Sequence, residues 1–261
     1  MSNTPDYQRA VQDYLAYLPV YIRRRWWMHA FLRGLVALLW RGKVEGRENI
    51  PATGGVILMM NHASGVDPIL CTGLVHHRYV ITMAKIESRR NPLVSIFNWL
   101  WGNFPVKRGM VDRFALNITV ELLKRDQLLL IAPEGTRNRE GLRQPKDGIA
   151  FLATKANAVI VPAAVVNTKN WWQRLLTFRF VRAEVRFGKP FRFKMPEGGA
   201  LTKNVREQMM REAMYQLSLT IPDEFAEYRG VYQDLDKATT EMIEFVPLVS
   251  QEAPVKTSLV S

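Results

Sequence analysis

The side chains with the clearest chemical potential are a histidine and an aspartate in one short polar stretch, His62 and Asp67. The stretch follows the apolar run 55–60 and precedes Pro68 and a second apolar run. Five residues of α-helix turn through about 500°, so the two side chains would not share one face of a helix. They meet only if the segment bends, and a bend is favoured because Asp67 can cap a helix that starts at Pro68. We therefore predict a strand ending at Met60, a turn that carries His62 and a helix from Pro68.

These two residue types suit proton transfer. The imidazole of His62 titrates near neutral pH and can act as a general base. Asp67 could hold the imidazole in one tautomer and stabilise its charged form. No serine or cysteine stands in a nucleophile elbow, so we infer direct deprotonation of a substrate hydroxyl or of water. The spacing also occurs often by chance, and the alternative is a buried turn histidine beside a helix cap.

A second polar stretch follows the apolar run 128–132, and it reads Glu134-Gly135-Thr136-Arg137. Arginine presents a planar fork of donors that fits a phosphate group. The alternative is a turn at the end of a strand with a Glu–Arg surface pair of little energetic value. Arg108 is a further candidate for phosphate contact, and its alternative is a solvated loop arginine.

The order of elements predicts the fold class. Strand-like and helix-like runs alternate from residue 56 to residue 166. This alternation indicates an α/β protein with αβα layers, a mostly parallel sheet and helices on both faces. Ligands of such sheets bind at the carboxyl ends of the strands. We therefore expect His62 and Arg137 to lie near each other, although about 70 residues separate them.

The net charge of +12 over 261 residues indicates anionic partners, with nucleic acid, anionic lipid and phosphorylated small molecules as candidates. Residues 22–44 hold six basic residues and no acid, together with apolar side chains flanked by tryptophans. We expect a basic amphipathic helix in the membrane interface; the alternative is a helix packed on the domain with its arginines in water. No segment reaches the roughly 18–20 apolar residues that span a bilayer. The first twenty residues are polar and mixed in charge, so we expect no cleaved signal peptide.

Residues 169–194 form a second basic region, with eight basic residues, one acid and interleaved aromatics. We expect anionic lipid head groups or an acyl carrier as its partner rather than nucleic acid, because no nucleic-acid-binding signature accompanies it. A solvated basic face is the alternative. Cys71 is the only cysteine, so no internal disulfide is possible. With His76 and His77 it lacks the ligand spacing of a structural metal site, and we assign no metal.

Four segments of the chain carry a joint pattern: Asn61-His62-Ala63-Ser64-Gly65-Val66-Asp67, Phe104-Pro105-Val106-Lys107-Arg108-Gly109, Pro133-Glu134-Gly135-Thr136-Arg137 and Val161-Pro162-Ala163. Together they resemble the blocks of the glycerolipid acyltransferase family, over roughly residues 40–195. The blocks occur in the family's order and spacing, which is much more specific than any one of them. Ala132 departs from the usual Phe before the third block, and Asn138 from the common Ser after it.

The resemblance implies an O-acyltransferase that moves a fatty acyl group from acyl-coenzyme A or acyl-carrier protein to the hydroxyl of lysophosphatidic acid, giving phosphatidic acid. His62 would be the general base, oriented by Asp67, with no cofactor, metal or covalent acyl-enzyme. The implied phosphate-binding residues are Arg108, Glu134, Gly135, Thr136 and Arg137.

The resemblance also implies a place for the protein, and the composition of the two ends predicts a division of the chain. The enzyme would lie on the cytoplasmic face of a membrane as a peripheral or monotopic protein. We expect a helical membrane-interface segment at 1–42, the acyltransferase domain at 43–230 and an acidic, flexible tail at 231–261. Two rivals stay open: an acyltransferase for another lysophospholipid or an amine-bearing lipid, and a non-catalytic membrane-binding protein of the same fold.

Overall fold

A computed structural model describes residues 6–86, 92–106, 112–177, 179–180, 182–196 and 198–247. The helices in these ranges are α1 (Asp6–Ala16), α2 (Leu18–Leu39), α3 (Asp67–Leu74), α4 (Pro92–Trp101), α5 (Arg113–Lys124), α6 (Gly148–Ala156), α7 (Trp171–Leu176) and α8 (Lys203–Thr220). The strands are β1 (Val44–Glu45), β2 (Val56–Met60), β3 (Val80–Lys85), β4 (Phe104–Val106), β5 (Leu128–Ile131), β6 (Val159–Val166), β7 (Glu184–Phe187), β8 (Phe191–Phe193) and β9 (Ile243–Phe245).

The nine strands of the described ranges form one sheet in the order β1-β7-β6-β2-β5-β3-β4, with β8 beside β6 and β9 beside β8. The strands from β6 to β4 are parallel, whereas β7 and β8 run antiparallel to β6. Every residue of β2, β5 and β6 is buried, which explains why these strands are continuous apolar runs in the sequence. The predicted α/β class with a mostly parallel sheet is confirmed.

Strand β2 lies at the centre and fixes where the carboxyl ends meet. Leu58 pairs with Leu130 of β5 on one side and with Val161 of β6 on the other. All three strands are parallel, so the loops after Met60, Ile131 and Val166 leave the same edge of the sheet.

The core has two layers, one on each face of the sheet. Ile57 and Met59 of β2 belong to the layer that packs against α5, α6 and α8. Their neighbours Val56 and Leu58 belong to the layer that contains α3. This alternation follows from the two-residue period of a strand. Helices therefore cover both faces, as the αβα prediction requires.

The N-terminal helices pack on this body. Val11 and Leu15 of α1 join the first core layer, and Val36 of α2 joins the second. Arg25 is fully buried, and its Nε donates to the carbonyl oxygen of Trp101 at 2.7 Å. At the other end of α2, Trp40 Nε1 donates to the carbonyl oxygen of Ala183 at 2.9 Å. Helix α2 therefore crosses the sheet from the β4 side to the β7 side.

The outer face of α2 is apolar and exposed. Trp26, Trp27, Phe31 and Leu38 are all largely accessible. The helix thus packs on the domain, which was the alternative to a purely interfacial helix in the sequence-based prediction. Its solvent-facing side nevertheless carries aromatic side chains as well as arginines. Among the described helices, none has both the length and the apolar character that crossing a bilayer would demand.

The expected flexible tail from residue 231 is wrong for residues 231–247. Strand β9 pairs antiparallel with β8, and Ile243 is buried in the core. The buried carboxylate of Glu212 in α8 accepts from the backbone N–H of Met242 at 2.9 Å and from the hydroxyl of Thr239 at 3.1 Å. Pairing with a distant strand holds this acidic segment, and local composition does not report such pairing.

Replacing Glu212 tests how firmly this segment is held. We expect Glu212→Ala to lower the free energy of unfolding by about 2–3 kcal/mol, because the Met242 N–H and the Thr239 hydroxyl lose a charged acceptor. Urea unfolding followed by circular dichroism measures the change. Glu241→Ala is the matched control, since this carboxylate is exposed and accepts from the Gln208 amide, and its effect should stay within about 0.5 kcal/mol. Equal losses in the two variants would contradict a structural role for the buried carboxylate.

Candidate active site

The loop after β2 is folded around the carboxylate of Asp67. Its Oδ2 accepts the backbone N–H groups of Ala63 at 2.7 Å and Ser64 at 2.6 Å. The same oxygen lies 3.3 Å from Nδ1 of His62. The predicted capping role of Asp67 is wrong: it is the first residue of α3, whose N-cap is Val66 without a side-chain cap bond. The carboxylate closes the turn that precedes the helix, which brings His62 and Asp67 together as predicted.

His62 is held with one nitrogen inward and the ring partly accessible. Its side chain is 13% exposed, whereas that of Asp67 is fully buried. When Nδ1 carries the proton and donates to Asp67, Nε2 has a free lone pair. His62 also lines a cavity of about 400 Å³. This arrangement gives a base whose tautomer is fixed by a carboxylate, beside a space that a substrate can occupy.

The loop after β5 is hydrogen-bonded directly to the loop after β2, residues 61–66, which we call the histidine loop. The backbone N–H of Asn138 donates to the carbonyl oxygen of His62 at 2.7 Å. Nη1 of Arg137 lies 3.7 Å from the position that a Cβ on Gly65 would occupy. The predicted meeting of the two loops is therefore confirmed.

Strand β6 is linked to the same turn through Asn61. Its side-chain Nδ2 donates to the carbonyl oxygen of Val165 at 2.8 Å, and its Oδ1 accepts the N–H of Val165 at 2.7 Å. The amide thus extends the pairing of β2 with β6 by one step beyond the backbone ladder. Sequence reasoning assigned Asn61 no role, because its contact depends on a strand about 100 residues away.

The Glu-Gly-Thr-Arg turn requires its glycine. Gly135 has φ +71°, which is the left-handed region that favours glycine. A Cβ there would lie 3.2 Å from the Lys146 side chain. Lys146 also lines the cavity with His62 and Gly135, although the sequence analysis gave it no role. Its signal in the sequence is faint, since a lysine in a polar loop is usually solvated.

The remaining predicted site residues fall into three groups. Thr136 and Arg137 are exposed beside the histidine loop and are free to meet a ligand. Glu134 is buried and does not line the cavity. Arg108 lies outside the described residues. Within the described ranges, no three His, Cys, Asp or Glu side chains converge as a metal site needs.

The cavity beside His62 is mostly apolar. It extends between β3, β5, α5 and α6, so it continues the core layer on that face of the sheet. Its main apolar lining residues are Met83, Val106, Ala115, Leu116, Ile131, Ile149 and Leu152. A larger cavity of about 600 Å³, lined by Tyr14, Tyr17 and Tyr21, lies between α1, α2 and β4 and includes none of the candidate catalytic residues.

Glu134 has an unusual environment for a carboxyl group. It is 8% exposed, and its Oε2 has no hydrogen-bond partner among the described residues. Burial raises the pKa of Glu134 to about 7, and hydrogen bonds from the Asn138 side chain and the Arg143 backbone oppose this rise only in part. The carboxyl group therefore changes charge near neutral pH inside the turn.

The raised pKa of Glu134 predicts a pH dependence of stability. Below about pH 4.5 the group is neutral in both states and imposes no penalty; above about pH 7 it is charged in both, and the folded state bears the cost of burial. Between these limits the wild type should lose about 3 kcal/mol relative to Glu134→Gln, from about 1.4 kcal/mol per pKa unit. Urea unfolding of both proteins at pH 5 and pH 8 measures this difference. A difference that is the same at both pH values would contradict the burial of an ionisable carboxyl group.

Comparisons with known proteins cover the part of the chain that contains this site. The family model described as Acyltransferase matches residues 41–166, which include His62, Asp67 and the turn at 134–137. The 1-acyl-sn-glycerol-3-phosphate acyltransferase of Borreliella burgdorferi is 33% identical over 138 residues, which is 52% of this chain and 55% of that protein. The enzyme of the same name from Bacillus subtilis is 31% identical over 134 residues, which is 51% of this chain and 66% of that protein. The chain thus spans between half and two thirds of the length of these curated relatives.

A solved structure supports the fold. The crystal structure of the 1-acyl-sn-glycerophosphate (LPA) acyltransferase PlsC from Thermotoga maritima superposes with a TM-score of 0.52 and 24% identity, over 71% of this chain and 74% of that one. The matched family model, the relatives and the paired loops at the carboxyl ends of β2 and β5 agree. Residues 41–166, which carry His62, Asp67 and the turn at 134–137, therefore match the acyltransferase family.

Proposed function

We propose that the protein transfers a fatty acyl group from an acyl thioester to the free hydroxyl of lysophosphatidic acid and so forms phosphatidic acid. The observation that carries the proposal is the His62–Asp67 pair beside an apolar cavity. The names of the curated relatives support the same acceptor. The donor is acyl-coenzyme A or acyl-carrier protein, and the reaction uses no cofactor and no metal.

The histidine acts on the acceptor hydroxyl. Nε2 of His62 takes the hydroxyl proton while the oxygen attacks the thioester carbonyl carbon. Asp67 holds Nδ1–H and stabilises the imidazolium that results. The tetrahedral intermediate then expels the thiolate, which takes the proton from Nε2. A C–O bond replaces a C–S bond, and the base returns to its starting state without an acyl-enzyme.

The cavity suits the acyl chain of the donor. Its lining is mostly apolar, and burial of an alkyl chain there is favourable by about 0.8 kcal/mol per CH₂ group. His62 belongs to the same lining, so a chain in the cavity would bring its thioester to the base.

The acceptor phosphate is assigned to the exposed side chains of the Glu-Gly-Thr-Arg turn. Arg137 offers a bidentate fork beside Gly65, Thr136 a hydroxyl, and Arg108 is proposed as a second cation from the sequence resemblance. Glu134 is assigned to the support of this turn rather than to the phosphate, because it is buried and a carboxylate would repel an anion. Gly135 allows the turn to pass close to Lys146.

The outer face of α2 is proposed to lie in the membrane interface on the cytoplasmic side. Trp26, Trp27 and Phe31 are exposed there, and Arg23 and Arg33 lie exposed on the same helix. Tryptophans beside arginines suit the boundary between acyl chains and anionic head groups. A peripheral position of this kind would give the site access to a lipid acceptor without a membrane-spanning segment.

The first test is turnover by the purified protein. We expect acylation of lysophosphatidic acid from a thioester donor, and we expect His62→Ala to lower kcat about 10²–10⁴-fold, the usual contribution of a general base. His76→Ala is the matched control, because this exposed histidine lies outside the site. Thioester consumption and phosphatidic acid formation are measured together, with circular dichroism as the check on folding. Full activity of a folded His62→Ala protein would exclude the mechanism, and transfer only to other lysolipids would exclude the acceptor.

The phosphate role of Arg137 has its own test. We expect Arg137→Ala to raise the KM for lysophosphatidic acid by about tenfold or more, because one charge-assisted hydrogen bond contributes about 1.5–3 kcal/mol, and to leave the KM for the donor unchanged. Arg139→Ala is the control, since Arg139 is also exposed and lies two residues further along the loop. An unchanged acceptor KM in Arg137→Ala would refute the contact.

A further inference from the structure

Helix α7 presents an apolar face that its own domain does not cover. Trp171 packs inward against the core, whereas Trp172 is 57% exposed and Leu176 is 64% exposed. Residues four apart lie on one face of a helix, so these two side chains project together. The helix follows directly after β6, whose carboxyl end lies beside that of β2. This apolar face is therefore close to the edge of the sheet that carries His62.

The segment around α7 is strongly basic. Residues 167–183 contain four basic side chains and no acidic one: Lys169, Arg174, Arg179 and Arg182. Arg179 and Arg182 are exposed, as is Phe180 at 46%. Large apolar side chains that alternate with exposed cations match the boundary of an anionic bilayer, where the rings enter the acyl region and the cations meet the head groups.

This surface is continuous with the outer end of α2. The guanidinium of Arg41 stacks over the ring of Phe180 at 4.5 Å from its centroid. Backbone also approaches backbone here, because a Cβ on Gly42 would lie only 1.7 Å from the carbonyl oxygen of Ala183. The exposed Leu38 of α2 is one turn from this junction. The two surfaces are thus fixed to each other and cannot move apart freely.

We propose that α7, together with Arg179, Phe180 and Arg182, forms a second membrane contact, which binds the surface of an anionic bilayer alongside α2. The proposal rests on the proposed function in one respect, since it gives a lipid substrate a reason to be met at this edge. An acidic carrier protein would satisfy the cations but would leave Trp172, Leu176 and Phe180 without a counterpart continuous with α2. Two rigidly linked contacts bind one surface far more strongly than either alone.

Vesicle flotation of the full chain tests the proposal. The probe is vesicles of phosphatidylcholine with a quarter of phosphatidylglycerol, and vesicles of phosphatidylcholine alone for comparison. We expect Trp172→Ala/Leu176→Ala to lower the partition coefficient on anionic vesicles at least about tenfold, the effect of withdrawing one large apolar side chain from the bilayer. Val231→Ala/Phe245→Ala is the matched control, because both side chains are exposed and lie outside the α7 and α2 surfaces. The control should bind as the wild type does.

The contribution of the exposed arginines is tested with a separate variant. Arg179→Gln/Arg182→Gln should weaken binding to anionic vesicles and leave binding to phosphatidylcholine vesicles unchanged. Unchanged partition of the Trp172/Leu176 variant would overturn the proposal. A second outcome would also overturn it: both variants bind vesicles normally but transfer the acyl group more slowly from acyl-carrier protein and not from acyl-coenzyme A. The surface would then serve the acidic carrier. Flotation requires no turnover, so its result stands whether or not lysophosphatidic acid is the acceptor.

Discussion

The site depends on one buried carboxylate. Asp67 accepts two backbone N–H groups of the turn before it and faces the ring of His62. A fully buried carboxylate is costly unless donors surround it, and buried N–H groups are costly unless an acceptor meets them. Each cost is offset in part by the other, because both N–H groups meet Oδ2, while Oδ1 has no hydrogen-bond partner among the described residues. The orientation of His62, and through its carbonyl oxygen the position of Asn138, follow from that closure.

Three buried charged side chains of this protein are held largely by backbone groups. Asp67 accepts N–H groups of its own turn, Glu212 accepts from Met242 in the C-terminal segment, and Arg25 donates to carbonyl oxygens at the end of α4. Fully buried groups of this kind are screened little by salt. The architecture around the site should therefore be insensitive to ionic strength, while the exposed cations, which give the net charge of +12, remain available to anionic partners.

The parts that the sequence predicted are those in which local pattern and tertiary environment agree. The central strands are apolar at every position because helices cover both faces of the sheet. Their bounds could therefore be predicted from the sequence, and so could the loops that follow them, with His62 and the turn at 134–137. The cap role of Asp67 was wrong because the same residue type suits a cap and a turn, and only the fold decides which N–H groups it meets. The burial of Glu134 and the pairing of β9 depend on distant partners, which composition does not encode.

The long-range contacts around β2 set an order in which parts of the chain can fold while it is being synthesised. The outer face of α2 is complete once residue 39 has been made, whereas the histidine loop needs Asn138 and Val165 to close it. Contacts between residues so far apart in the sequence form late, because closing the intervening loop costs conformational entropy before the contacts can stabilise the chain. The nascent chain thus exposes its aromatic helix well before the turn around His62 and Asp67 can close. With the membrane role proposed for α2, the helix would reach the lipid first and the turn would close afterwards.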